Sequence, residues 1–303
     1  MEKKPVILNE DTFVSVQNEI NINMVSSSNQ AVLIIGQNGS GKTFLLNRIY
    51  NNSENAYYDK IWIDGRSIFS SDEIIMQCSN KSNKSNKCLL FIDDIDFYFN
   101  RCTFDEQYRL RRFLYSQDAP MLIGSLSRLL PSLTDYNAPF FEGMKLVYIK
   151  SVDSTDLSIF FSPPYIKRAL SLLIYMPKTI RSLEIIEAIL TINKNQNSDL
   201  DILLSWFAEK YRAIYQGLPT YSQHILNALC LKTDGMIMSE IKYMTKLPPN
   251  ILTAYLNSLS KNNIINIDKT IKKLCRYSIK DQLFSLWLQD GSSNTANESN
   301  QSE

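Results

Sequence analysis

The clearest pattern in the first half of the chain is a series of short apolar runs, each followed by a longer polar or amphipathic stretch. The runs are Val32–Ile35, Ile61–Gly65, Cys88–Asp94, Met121–Ser125 and Lys145–Lys150. Most are apolar along their whole length rather than alternating, which predicts strands buried on both faces. Between two of them lies TFDEQYRLRRFLYSQ, a helix in which Thr103 is placed to cap and Asp105 and Glu106 fill the first turn. Strands alternating with helices predict an α/β domain with a parallel sheet in three layers, over residues 1–162. The polar repeat SNKSNKSNK, Ser79–Lys87, reads as an exposed loop.

After Pro163 and Pro164 the pattern turns helical, including RSLEIIEAIL and LDILLSWFAEKY, so residues 163–217 are expected to form a helical lid. From Pro219 the segments YSQHILNALCL, MSEIKYMTK and PNILTAYLNSLSKN predict three short helices, with Pro248 and Pro249 opening the third. IINIDKTIKKLCRYSIK then predicts a two-stranded hairpin, and this order is that of a winged helix-turn-helix over residues 218–290. The closing GSSNTANESNQSE has no apolar content and is expected to be a disordered tail, 291–303. His224, beside Ile225, Leu226 and Leu229, reads as structural, and Tyr277, Phe284 and Trp287 read as core.

Composition narrows the function classes. A chain of 303 residues is long enough for two or three domains. The net charge of +1 supplies no global field toward nucleic acid or membrane, so any basic surface must be local. The 5 cysteines are scattered without a CxxC pair and the single histidine has no neighbouring ligands, which argues against a zinc site or disulfide framework. No segment reads as a signal peptide and no apolar run approaches membrane-spanning length, so the expectation is a cytoplasmic protein with no membrane partner.

Chemistry concentrates at GQNGSGKT, Gly36–Thr43, a full match to G-x-x-x-x-G-K-[ST] with a strand before it and a helix after it. The glycines Gly36, Gly39 and Gly41 let the backbone curl so that amides point at phosphate oxygens, and the helix beginning near Lys42 adds its positive end. The expected nucleotide-binding set is Gly36, Gln37, Asn38, Gly39, Ser40, Gly41, Lys42, Thr43 and Phe44, with Lys42 on the β- and γ-phosphates of ATP. Lys42 is expected to face solvent when no nucleotide is bound. Thr43 and Asp93, at the end of the run LLFIDDID, are the expected ligands of Mg2+, and Asp94 the group that orients or deprotonates the attacking water. Asp96 reads as a surface or capping residue. Ser125, ending the fourth strand, has two readings: contact with the γ-phosphate or attacking water, or turn formation. Arg128 is either an inter-subunit finger or a surface arginine.

With GQNGSGKT, LLFIDDID, MLIGSLSRLL and APFFEGMKLVYIK in this order, the chain resembles the AAA+-related and STAND ATPases, especially the archaeal-type ATPase group. Gly124-Ser125 and Pro139-Phe140-Phe141 match that group's sensor-strand end and the proline–aromatic segment before its fifth strand. The paired Asp93-Asp94 is closer to the STAND proteins, and YSIKDQLFSLWL, Tyr277–Leu288, is similar to the group's closing segment. The resemblance covers roughly residues 20–290. It also exposes a departure. The group's Gly-Arg before the fifth strand is Gly143-Met144-Lys145 here, so the chain lacks an arginine that would complete a neighbour's site unless Lys145 takes its place. In YMPKTIRSLEII the resemblance implies that Arg181 is a second sensor facing the nucleotide, against the reading of an ordinary helix-surface arginine.

For the C-terminal unit two partners stand open. The third helix offers no lysine or arginine between Pro249 and Ser260, whereas the hairpin carries Lys269, Lys272, Lys273 and Arg276 as candidate contacts to double-stranded DNA. The other reading is a module that recruits a protein effector. The expected function is therefore an ATP-dependent switch, cycling between ATP and ADP by slow hydrolysis, with nucleotide-dependent homo-oligomerisation as a further partner mode.

Overall fold

The computed structural model of the chain describes residues 9–25, 30–56, 58–81, 87–116, 119–193, 198–271 and 274–299. By contacts the chain divides into two units: residues 1–161 with 178–184, and residues 162–177 with 185–303.

The first unit is built on five parallel strands, β1 (Ala31–Ile35), β2 (Asp59–Asp64), β3 (Cys88–Asp93), β4 (Met121–Leu126) and β5 (Met144–Tyr148), in the order β2-β3-β4-β1-β5. Every residue of β1, β3 and β4 is buried, as the unbroken apolar runs require. Alternate residues serve opposite faces. Leu33, Leu90, Ile92 and Leu122 pack with Ile74, Tyr98, Leu110 and Phe140 on one side, and Val32, Ile34, Phe91 and Ile123 pack with Val16, Ile20, Leu45 and Ile49 on the other. The three layers follow from that arrangement. Thr103 caps the helix Phe104–Leu114 as expected, its side chain accepting from the amide of Glu106.

This strand order fixes the site. β4 lies between β1 and β3, so the loop after β1 and the acidic end of β3 face one another across the end of β4, where Ser125 sits. Met144 occupies a core position paired with Ala31, which explains why no arginine stands there: its charge would be buried in the sheet. Lys145 pairs with Glu19 of its own chain at 3.2 Å.

The second unit contains the helices Pro163–Leu173, Asp199–Gln216, Thr220–Leu229, Met238–Thr245, Pro249–Lys261 and Gln282–Ser299. A three-stranded sheet joins them, β6 (Met236–Ile237), β7 (Ile265–Ile271) and β8 (Leu274–Ile279), in the order β6-β8-β7 with antiparallel pairing. Arg168 donates from Nε and Nη2 to both oxygens of Asp199, at 2.7 and 2.6 Å, tying the first of these helices to the second. The Tyr211 ring packs at a tilt against Phe284 and Trp287 and its hydroxyl donates to Asp281 at 3.0 Å, which anchors the closing helix. Tyr277 and Phe284 are buried as expected, and Trp287 is half-buried. His224 departs from its expected structural role, since it lies on the exposed side of its helix. The closing helix also runs to Ser299, past the point at which a tail was expected. Among the described residues no helix is long and apolar enough to cross a membrane.

Candidate functional site

The helix Lys42–Tyr50 begins with Gly41 in the left-handed region, φ 93°, and has no side-chain cap. Gly39 is also left-handed, φ 83°, and the two positions bend the loop so that the helix start opens onto it. An uncapped helix start leaves orphan amides, which makes it a site for an anion.

Lys42 departs from expectation. It is 6 % exposed and folds back, its Nζ donating to the carbonyl of Gly36 at 2.9 Å and that of Gln37 at 3.4 Å. Both acceptors belong to the loop itself, so the ammonium holds the loop's curvature while sitting beside the space it encloses. Burial lowers its pKa, and Asp94, Asp96 and Asp93 pull it back up.

At the facing strand end, the Thr43 hydroxyl donates to Asp93 Oδ2 at 2.6 Å. The other oxygen, Oδ1, accepts from Ser125 at 2.5 Å. The same Ser125 Oγ accepts the amide of Asp94 at 2.9 Å. Ser125 is fully buried, with its hydroxyl spent between Asp93 and Asp94. Its hydroxyl thus bridges the two aspartates.

Asp94 is left-handed, φ 52°, a conformation that Asp tolerates better than longer residues and that costs about 1 kcal/mol. Burial and the neighbouring Asp93 raise its pKa.

The sequence profile described as ABC transporter matches residues 20–153. No curated protein is significantly similar to the sequence. Among solved structures, the Aeropyrum pernix Orc1 protein in complex with DNA has 11% identity and a TM-score of 0.59, over 93% of this chain and 92% of that one. The chain shares the fold of that protein. Cdc6p from Pyrobaculum aerophilum is similar at 12% identity and a TM-score of 0.45, covering 93% of this chain and 94% of that one. AMPPCP-bound DnaA from Aquifex aeolicus is similar at 18% identity and a TM-score of 0.42, covering 82% and 88%.

Within the first unit a cavity of about 350 Å3 is lined by Lys42, Thr43, Phe44, Asp94, Ile180 and Arg181, together with Asn38, Gly39, Gly41 and Glu184. Arg181 thus lies at the P-loop: its amide donates to the Gly39 carbonyl at 3.0 Å, and a Cβ at Gly39 would come within 2.7 Å of the Arg181 Cβ. Its guanidinium is exposed and pairs with Glu184 at 3.3 Å. Gln37 and Ser40 line a second cavity. Arg128 is exposed.

Asp96 departs from the surface reading. It is 7 % exposed and accepts from Ser127 at 2.5 Å, a burial that its place one turn past β3 dictates once Ile95 and Tyr98 enter the core. Two residues escaped sequence reasoning. A Cβ on Gly65 would sit 2.4 Å from the Asp94 carbonyl oxygen and 2.8 Å from that of Asp93, so the glycine lets the turn after β2 brace the acidic pair. Asn9, 2 % exposed, packs on the P-loop, where a Cβ at Gly41 would meet its Nδ2 at 2.9 Å. Both contacts are long-range in sequence and carry no local motif. Of the hairpin cations, Arg276 donates to the carbonyl of Gly235 at 3.0 Å, which ties it to the turn before β6. Lys269 lies in β7, and Lys272 and Lys273 fall outside the described residues.

Proposed function

We propose that the protein is an ATP-dependent molecular switch that binds MgATP at the P-loop, hydrolyses it slowly and couples nucleotide state to a winged-helix unit that binds double-stranded DNA. The observation that carries the nucleotide half is the uncapped helix start at Gly41 set beside the Thr43–Asp93 contact of 2.6 Å. These two side chains suit magnesium, since both present hard oxygen donors. Among the described residues there is no cluster of three or more His, Cys, Asp or Glu for a metal, so phosphate and water oxygens would complete an octahedral set. Held by Thr43 and Asp93, such an ion would supply positive charge to offset the charge that develops on the phosphate oxygens.

The chain's own groups do the rest. The loop amides and Lys42 hold the phosphates, Asp93 and Thr43 hold the metal, and Asp94, with its raised pKa, orients the water and takes its proton. Ser125 keeps the two aspartates in register. Arg181 reads the nucleotide from the first turn of the helix Ile180–Ile192, whose residues to Glu184 belong to the first unit and whose later turns belong to the second. That continuous helix is the covalent route by which nucleotide state reaches residues 185–299.

The order of helices Thr220–Leu229, Met238–Thr245 and Pro249–Lys261 followed by the β7–β8 hairpin supports a winged helix-turn-helix. DNA binding is further supported by the likeness to a protein solved in complex with DNA. A protein effector is favoured instead by the exposed Tyr243, Met244, Tyr221 and Leu231 around the same helices. ATP turnover measured with and without duplex DNA separates them. Stimulation by DNA supports the switch, and equal rates support the scaffold.

A further inference from the structure

The helix Pro249–Lys261 buries Leu252, Leu256 and Leu259 and turns its other side to solvent. On that side Asn250, Thr253, Ala254 and Asn257 are exposed at spacings of three and four residues, which places them on one face. The face is polar, small and uncharged. None of the exposed large apolar side chains lies between residues 249 and 261, so this face lacks the apolar centre that a protein interface needs. Tyr243 and Met244 are exposed on the preceding helix, not on this one.

Charge around the face is of one sign. From residue 242 to 261 the chain carries Lys242, Lys246 and Lys261 and no aspartate or glutamate. All three lysines are exposed. The acid just before this stretch, Glu240, accepts from Lys232 at 2.7 Å and from the amide of Ile237 at 3.0 Å. A neutral face flanked by lysines suits a ligand that is anionic at its rims and offers neutral donors and acceptors between them. The major groove of B-form DNA has that layout, with phosphates on its rims and base edges on its floor. Duplex RNA does not fit, because side chains cannot read its deep, narrow major groove.

The side chains on the face match particular base edges. A carboxamide pairs with adenine N6 and N7, accepting one hydrogen bond and donating another, and those of Asn250 and Asn257 make no hydrogen bond among the described residues. Thr253 gives its hydroxyl proton to the carbonyl of Pro249 at 2.8 Å, which leaves its methyl, with that of Ala254, to meet the thymine methyl. The face carries no arginine or lysine, the side chains that take guanine O6 and N7. We propose that this face reads A·T base pairs in the major groove of double-stranded DNA, with Asn250 and Asn257 determining specificity and Lys242 and Lys246 on the flanking phosphates. The inference rests on the winged-helix reading above, in which the helix Met238–Thr245 crosses the DNA backbone and Pro249–Lys261 enters the groove. It adds a sequence preference that the hairpin cations, as phosphate contacts, do not supply. Seven residues of helix span about 10 Å, so the two asparagines meet bases about three steps apart.

The test is selection from a pool of randomised DNA duplexes by the full chain with MgATP, followed by fluorescence anisotropy on the selected duplex. That duplex is expected to hold A·T pairs at two positions about three steps apart, and replacing either with G·C to weaken binding about 10-fold. Asn250→Ala and Asn257→Ala replace exposed side chains and leave the core intact. Each should remove the preference at one of these positions, while affinity for the G·C-replaced duplex and the salt slope stay those of the parent. Lys242→Ala with Lys246→Ala should do the opposite, lowering affinity for every duplex alike and the log–log salt slope by about 2. Duplex binding with no preference for A·T pairs, or a preference that both asparagine variants retain, overturns the proposal and leaves the DNA reading standing. No duplex binding by the parent at low salt overturns both and leaves the face to a protein partner, so the two readings fail at different steps.

Discussion

The P-loop end of the sheet and the C-terminal hairpin both carry cations, in different settings. Lys42 is buried and tied to two carbonyls of its own loop, while the hairpin carries Lys269, Lys272, Lys273 and Arg276 close together in sequence. The first arrangement depends on backbone geometry: left-handed glycines, an uncapped helix and a strand order that brings Asp93 onto Thr43. The second would depend on summed charge, which tolerates displacement of any single side chain. The lesson is that one substitution can silence the first site, whereas the second should respond gradually.

The sharpest break in that comparison is expected at Asp94. Asp94→Asn should keep nucleotide bound and slow steady-state turnover about 100-fold, the usual cost of losing a general base. An unchanged rate in a phosphate-release assay would remove Asp94 from the mechanism.

Next in size is Gly65→Ala. The added methyl would sit 2.4 Å from the Asp94 carbonyl, and forcing it in costs about 1–3 kcal/mol. Both the melting temperature and turnover should fall, although position 65 makes no expected contact with nucleotide. A variant that melts and turns over like the parent would show that the turn after β2 does not brace the aspartates.

The hairpin should behave otherwise. Lys272→Ala together with Lys273→Ala should lower duplex affinity about equally for all sequences and reduce the log–log salt slope by about 2, with ATP binding unchanged. A fluorescence-anisotropy salt titration reads this slope, and no DNA binding by the parent at low salt would favour the protein effector.

The smallest effect concerns pH. The pKa of Asp94 is raised above its ordinary 3.8, so the folded chain holds that proton more tightly than the unfolded chain does. The ionised carboxylate therefore opposes folding at neutral pH, and the penalty disappears as pH falls below 3.8. Asp94→Asn should melt slightly higher than the parent at pH 7, with the difference closing toward acid. Melts followed by circular dichroism at several pH values check the sign.

The sheet was legible because β1, β3 and β4 are buried on both faces, which leaves runs without a polar interruption. That Thr43 and Asp93 come together was legible because P-loop chemistry fixes residue types at fixed spacing. Gly65 and Asn9 were not, since their roles arise from contacts between segments distant in sequence. Lys42 and Asp96 were expected to be exposed and are buried, and Ser125 was left between two readings. Spacing identifies a residue near a ligand, but hydrogen bonds such as Ser125 to Asp93 and Ser127 to Asp96 decide whether it faces the ligand or its neighbours. Arg181 was singled out only through the resemblance, and its amide on Gly39 is a contact that no local pattern announces.

The central claim is that the loop Gly36–Thr43 binds MgATP through Lys42. Calorimetric titration of MgATP into the parent and into Lys42→Ala tests it most directly. The account predicts a single site in the parent and binding about 100-fold weaker in the variant, the scale of a lost charge-assisted contact, with far-ultraviolet circular dichroism unchanged. Equal affinity in the two proteins, both folded, would contradict it.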